Sequence, residues 1–152
     1  QVWALRLGST LEDRPVYTPT TCFETFPFPR PTPEQAKAID EAAIFLEIAR
    51  AYLKKQRDPK LKADSKTSEK DKNLTLTGMY NLLTEYRKTK VEPISGVSTL
   101  ADSHDTLDEA VAAAYGWEWP LSEDELLSRL LALNLERYAQ ENPPKQINLP
   151  VT

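Results

Sequence analysis

The residues able to do chemistry in this chain are few and scattered. His104 is the sole histidine and Cys22 the sole cysteine, far apart in sequence, so no metal-ligating set with convergent spacing exists. His104 falls on or beside the apolar stripe of a helix, where it reads as a packed or partly exposed structural side chain and not as a catalytic base. With only four glycines, the chain holds neither a phosphate-cradling loop nor a dinucleotide fingerprint. Glu123, Asp124 and Glu125 cluster in the first turn of a helix, a place the helix dipole explains. Phe23, Phe26 and Phe28 interleave with Pro27 and Pro29. They could stack on bases or pin an extended strap into a groove, and the second use is the commoner. No nucleophile, base and orienting group assemble anywhere, so the chain reads as non-catalytic.

The elements that must position these residues follow from apolar spacing. Residues 1–30 carry β-prone positions (Val2, Trp3, Leu5, Leu7, Val16, Tyr17, Cys22, Phe23), with a loop expected from Gly8 to Asp13 between two short strands. Pro27, Pro29, Pro31 and Pro33 then enforce an extended path. Thr32, Pro33 and Gln35 spell a capped helix start. Ile39, Ala42, Ala43, Leu46, Ala49 and Leu53 continue at helical spacing to about Gln56, and Phe45, Ile48 and Tyr52 widen the stripe toward burial on more than one side. A second helix is expected from a Thr77 cap through Tyr86. A third runs from Ser98 or Thr99 to a glycine stop at Gly116, and a fourth from a Ser122–Glu125 capping box to about Gln140. Trp117 and Trp119 are expected to fill space between two helices. The fold class is mainly α, a four-helix bundle-like C-terminal domain preceded by a short β segment.

Between the first two helices, residues 58–73 are polar. Lys60, Lys62, Lys66, Lys70 and Lys72 alternate with Asp58, Asp64, Glu69 and Asp71, which offset most of the positive charge. A mobile loop is the plain reading and a DNA-binding arm the sharper one. The whole chain of 152 residues has net charge −4 and pI about 5.1. That balance argues against wrapping nucleic acid over most of the surface but leaves room for a local contact patch. No apolar run reaches membrane-spanning length and no signal peptide is apparent. One cysteine cannot form an internal disulfide, so cytoplasmic residence is the default expectation. The opening Gln1-Val2-Trp3-Ala4-Leu5-Arg6-Leu7 reads as the middle of a strand, which is expected of a piece cut from a longer chain.

Three segments resemble one family. Tyr17-Thr18-Pro19-Thr20-Thr21-Cys22-Phe23-Glu24-Thr25-Phe26-Pro27-Phe28-Pro29 is similar to a segment near the end of the target-recognition region of large adenine-specific DNA methyltransferases, including the MmeI-like fused restriction–methylation enzymes. Leu74-Thr75-Leu76-Thr77-Gly78-Met79-Tyr80-Asn81-Leu82 resembles a second family segment. Leu107-Asp108-Glu109-Ala110-Val111 through Tyr115-Gly116-Trp117, with Leu130-Leu131-Ala132-Leu133-Asn134-Leu135-Glu136-Arg137, resembles a third. Together they span most of residues 17–137 in the expected order, and the first is the most specific.

The resemblance implies a non-catalytic C-terminal fragment of a DNA adenine-N6 methyltransferase, in some relatives fused to a restriction nuclease. The fragment would contribute to reading double-stranded DNA in the major groove. S-adenosylmethionine and the Asn-Pro-Pro-aromatic loop that holds a flipped adenine are implied for a preceding methyltransferase domain of the same chain, and no cofactor for this chain. Asn142-Pro143-Pro144-Lys145 looks like the start of that loop, but it lacks the stacking aromatic and follows a helix, so it reads as a helix stop. Residues 1–30 would be the end of the recognition region plus a proline-rich strap, 31–142 the helical domain, and 143–152 a tail. The 58–73 stretch departs from the family pattern as an insertion. Arg6, Arg14 and Arg30, in or beside the sheet-like segment, are the candidate DNA contacts, since arginine suits guanine edges and phosphates. No family motif fixes them, and solvated surface charge is their plain alternative. For the whole chain the alternative function is a free-standing helical protein-interaction module.

Overall fold

The computed structural model describes residues 9–11, 14–16, 19–56 and 73–143. In chain order these form β1 (Ser9–Leu11), β2 (Arg14–Val16), α1 (Pro19–Cys22), α2 (Pro33–Lys54), α3 (Leu76–Thr89), α4 (Val97–Ala114) and α5 (Glu123–Glu141). The architecture is mainly helical and bundle-like, as the periodicity predicts. The chain divides into two units, one of residues 1–29 with 120–152 and one of residues 30–119.

In the second unit, local sequence sets the helix ends. Thr32 caps α2 through a complete capping box. The Gln35 amide donates to Thr32 Oγ1 at 3.3 Å, and the Thr32 amide donates to Gln35 Oε1 at 2.9 Å. The cap of α3 is Thr75 rather than Thr77, because only Thr75 stands where its hydroxyl accepts from the Gly78 amide, at 3.0 Å. The start of α4 lies one residue before the expected Ser98, and its cap, Gly96, has φ +98° and no side chain to offer. Glu92 substitutes for it. Its Oε1 accepts from the Gly96 and Ser98 amides at 2.9 and 3.0 Å and from Ser98 Oγ at 2.8 Å. These bonds, the Ser98 amide foremost, hold the Glu92 carboxyl below its usual range. The glycine stop at Gly116 forms as expected, with φ +73°. The Gly116 amide donates to Ala113 O at 2.9 Å and the Trp117 amide to Ala112 O at 3.0 Å, the paired bonds of a Schellman ending.

The apolar stripes of these helices meet. Leu46, Ala49 and Leu53 of α2, Met79, Leu82 and Leu83 of α3, and Val97, Leu100 and Ala101 of α4 form one buried cluster with Leu74. Helix α2 packs chiefly on α4, and α3 covers the pair more narrowly. Gln35 adds a polar tie at the end of this packing: its Nε2 donates to Ala113 O in the last turn of α4, at 2.9 Å. The Leu74 amide donates to Gln56 O at 2.8 Å. Most of the lysine-rich stretch lies outside the described residues, but its flanks are thereby pinned together.

One expectation on α2 is corrected. Phe45, Ile48 and Tyr52, expected to be buried on a second side of α2, are about half exposed, because the segment around Gly96 flanks that face without closing over it. Trp117, just past the end of α4, stacks on Tyr115, with ring centroids 4.4 Å apart and 14° between planes.

The first unit is built differently. β1 pairs antiparallel with β2 in the register Ser9↔Val16, Thr10↔Pro15 and Leu11↔Arg14. The strand thus occupies part of the expected Gly8–Asp13 loop; Glu12 and Asp13, which join the strands, lie outside the described residues. Cys22, expected in a β-prone run, instead closes a helical turn. Pro19 suits a first helical position, and its carbonyl accepts from the Phe23 and Glu24 amides at 2.8 and 3.0 Å. Helix α5 is capped by Ser122, whose hydroxyl accepts from the Glu125 amide at 3.2 Å. The reciprocal half of the expected capping box is absent, because the Glu125 carboxylate turns outward to Arg129.

Candidate functional site

In the first unit, the proline-rich strap is held against α5 by hydrogen bonds to its backbone. Asn134 Nδ2 donates to Thr25 O, and Arg137 Nη1 donates to Phe28 O at 2.7 Å. The rings of Phe23, Phe26 and Phe28 pack edge-to-face, with centroids 5.2 Å apart for Phe23–Phe28 and 4.8 Å for Phe26–Phe28. Pro27 is buried between them in sequence, while Phe23 and Phe28 remain about half exposed. Prolines supply no amide donors and so cannot extend a strand ladder; the Phe23 and Phe26 carbonyls accept from the strap's own Phe26 and Phe28 amides, and those of Thr25 and Phe28 from α5 side chains. Asn134 and Arg137 belong to the third resembling segment, Thr25 and Phe28 to the first. Their pairing across the chain was invisible in the sequence, since a side chain that bonds a backbone carbonyl leaves no residue-type signature at its partner.

In the second unit, a polar network joins three helices. Arg50 on α2 donates through Nε at 3.0 Å, and through Nη2, to the hydroxyl of Tyr80 on α3. The same hydroxyl lies 2.8 Å from Nε2 of His104 on α4. A tyrosine hydroxyl has one hydrogen to give, and arginine can only donate. Both Arg50 bonds therefore occupy the oxygen's lone pairs, and the hydroxyl hydrogen points to His104. Nε2 of His104 must then be an unprotonated acceptor, with the ring proton on Nδ1. Burial, together with the nearby Arg50 guanidinium, lowers the His104 pKa from its usual value. Burial raises that of Asp108, one turn along α4, against the opposing pull of His104. Arg87 on α3 pairs with Asp105 at 2.7 Å, a second tie between α3 and α4. His104 is thus tied through Tyr80 to Arg50, in a network that joins α2, α3 and α4.

The outer face of α2 is the third feature. Ile44, Phe45, Ile48 and Tyr52 stand about half exposed along one stripe. A groove of about 380 Å³ runs beside it, between Phe45, Ile48 and Tyr52 on one wall and Glu92, Ser98 and Thr99 on the other. The Tyr52 ring lies against Gly96, where an added Cβ would meet Tyr52 Cε1 at 2.8 Å.

The arginines singled out from the sequence are placed as follows. Arg6 lies outside the described residues. Arg14 sits in β2 opposite Leu11, in the first unit. Arg30 is exposed in the approach to α2 and belongs to the second unit. Asn142 ends α5, its amide bonded to Tyr138 O at 2.9 Å, which accords with a helix stop. Among the described residues, no group of three or more His, Cys, Asp or Glu is arranged to hold a metal ion, and no helix is long and apolar enough to cross a membrane.

Comparison with known structures places this fold. The chain is similar to the type IIL restriction–modification enzyme MmeI, solved in complex with DNA, with a TM-score of 0.57 and 24% sequence identity. The match covers 91% of this chain and 15% of that one, so this chain corresponds to a small part of the neighbour's length. The likeness is one of fold. No protein-family model and no curated protein matches the chain.

Proposed function

We propose that this chain is a non-catalytic part of a DNA adenine-N6 methyltransferase of the restriction–modification kind, comprising the last portion of its target-recognition region and the helical segment behind it. The observation that carries this reading is the shared fold with part of a restriction–modification enzyme solved on DNA, over 91% of this chain. It is supported by the two bonds that join Thr25 and Phe28 to Asn134 and Arg137, because they bring together two segments that resemble one family.

In this reading the methyl donor, S-adenosylmethionine, binds a domain of the same polypeptide outside this chain, and a nuclease is fused in some relatives. The described glycines do not fit such a cofactor. Gly78 lies inside a helix, and Gly96 and Gly116 sit at helix ends; none follows a strand as a cofactor turn would. The partner is double-stranded DNA, met through the whole enzyme, with Arg6, Arg14 and Arg30 as contact candidates.

The test is methyl transfer by the chain encoded by the whole gene to duplex DNA, with and without residues 1–152. The expected outcome is that deletion abolishes sequence-specific transfer while S-adenosylmethionine binding persists. A gene whose remaining sequence binds no S-adenosylmethionine would overturn the proposal. The reading of a free-standing helical interaction module then takes its place, favoured by the exposed apolar stripe on α2.

A further inference from the structure

Neutral His104 makes a bond that its protonated form cannot. Its Nε2 lies 2.8 Å from the Tyr80 hydroxyl and accepts that hydrogen, because two Arg50 donors already occupy the oxygen's lone pairs. A proton on Nε2 would turn the acceptor into a donor facing an oxygen with no lone pair to offer. It would also set an imidazolium beside the Arg50 guanidinium, and like charges repel. One of the two cations has to leave the hydroxyl. Arg50 holds it through two bonds and is anchored by Glu47 through Nη1 at 2.6 Å. His104 holds it through one, alongside an edge-to-face contact with the Tyr80 ring at 5.4 Å between centroids. On α4 itself, Asp108 one turn along and Asp105 both attract the imidazolium, and Asp105 is already paired with Arg87 of α3.

We propose that His104 is a proton-operated latch between α3 and α4: neutral, it is fastened to Tyr80, and protonated, it lets go and turns toward Asp108 on its own helix. The inference does not depend on the proposed function. The groups that face the ring are Arg50 from α2, Tyr80 and Arg87 from α3, and Asp105 and Asp108 from α4. Burial first, and then Arg50, hold protonation below the usual value of 6.5, so the latch is closed at neutral pH and opens as pH falls below that value. Opening leaves α2 tied to α3 through Arg50 and Tyr80, and α3 tied to α4 through Arg87, Asp105 and the apolar core. The helices therefore stay together while one interhelical bond is exchanged for an attraction within α4.

His104 is the sole histidine, so its ring nitrogens report without ambiguity in nuclear magnetic resonance of the 152-residue chain. At pH 8 the expected form is the Nδ1–H tautomer, the minority form of a free imidazole, with cross-relaxation between the His104 and Tyr80 rings. That cross-relaxation should be lost in step with ring protonation as the pH is lowered. Tyr80→Phe keeps the ring and removes the hydroxyl. It should shift the tautomer toward Nε2–H and raise the titration midpoint toward 6.5, because the bond that favours the neutral form is gone. Asp108→Asn, at an exposed position, should lower the midpoint of the otherwise unaltered chain by removing the carboxylate that receives the imidazolium. An Nε2–H tautomer at pH 8, or a ring contact that persists through protonation, would overturn the proposal. So would a midpoint unmoved by Tyr80→Phe. A midpoint unmoved by Asp108→Asn would overturn the handover to Asp108.

Discussion

The unit of residues 30–119 and the unit that pairs residues 1–29 with 120–152 are stabilised by different physics. The first buries apolar side chains from three helices around Leu53, Leu82, Val97 and Leu100. In the second, Pro27 and Leu130 are the buried residues among the described side chains, and the strap is held by side-chain donors reaching backbone carbonyls. Leu131, Leu135 and Tyr138 of α5 stay 44–65% exposed. Non-directional burial tolerates sequence variation of similar volume, whereas a hydrogen bond to one carbonyl depends on a single donor in a single place. A core of the first kind makes a platform. A strap of the second kind is set residue by residue.

Removing apolar volume should therefore separate the units most. Leu53, fully buried, becomes a cavity in Leu53→Ala, with an expected loss of about 2–5 kcal/mol in denaturant unfolding. Leu135→Ala, at 58% exposure, should change stability by no more than about 0.5 kcal/mol. Comparable losses at both positions would break the contrast.

The next effect sharpens the role of the α2–α4 approach. Gly96→Ala meets both a left-handed backbone and the Tyr52 ring, and should cost about 1–3 kcal/mol. Gly116→Ala has the positive φ but nothing within 4 Å, so its cost should be the backbone share alone, about 1–2 kcal/mol. Thermal melts of the two variants check the order; the reverse order would mean that Tyr52 yields without cost.

A smaller change is expected where the strap is tied. Asn134→Ala should cost about 1 kcal/mol and Arg137→Ala a similar amount. Both should hasten proteolytic cleavage between Thr25 and Pro29 without altering cleavage inside α2–α4. Unchanged cleavage of the strap would show that the phenylalanine cluster holds it unaided.

The smallest effect is the pH dependence of the Arg50–Tyr80–His104 network. Because the His104 pKa is lowered on folding, the unfolded chain binds the proton more readily. Stability should fall as pH drops below the usual value of 6.5 and level off below the folded value. Asp108 acts in the opposite sense: its raised pKa makes stability increase as pH falls toward its usual 3.8. Melting temperatures measured from pH 8 to pH 5 should show the His104 slope, and His104→Gln should flatten it. A slope that survives this substitution would place the proton elsewhere.

How legible was all this in the residues alone? The capping box at Thr32, the stop at Gly116, the Ser122 cap and the buried stripes of α2, α3 and α4 follow from local rules, because a helix end or an apolar period is encoded within a few neighbouring positions. The mainly helical, bundle-like class follows from them. The misplaced signals were local competitions. Thr75 and Thr77 both qualify as caps, and Cys22 is β-prone by type yet follows a proline that starts a turn. Glu125 has two partners within reach and chooses Arg129.

What only the tertiary structure decided is which apolar faces meet and which polar side chains reach across the chain. The stripe of Ile44, Phe45, Ile48 and Tyr52 is as apolar in sequence as the one that is buried, and only the positions of α3 and α4 assign one face to the core. Glu92 caps a helix four residues ahead of it in sequence, Tyr80 links Arg50 to His104, and Asn134 and Arg137 find carbonyls 109 positions away. Periodicity reports how a segment folds upon itself. It carries no information about the partner, because burial is non-directional and a backbone carbonyl is the same at every residue.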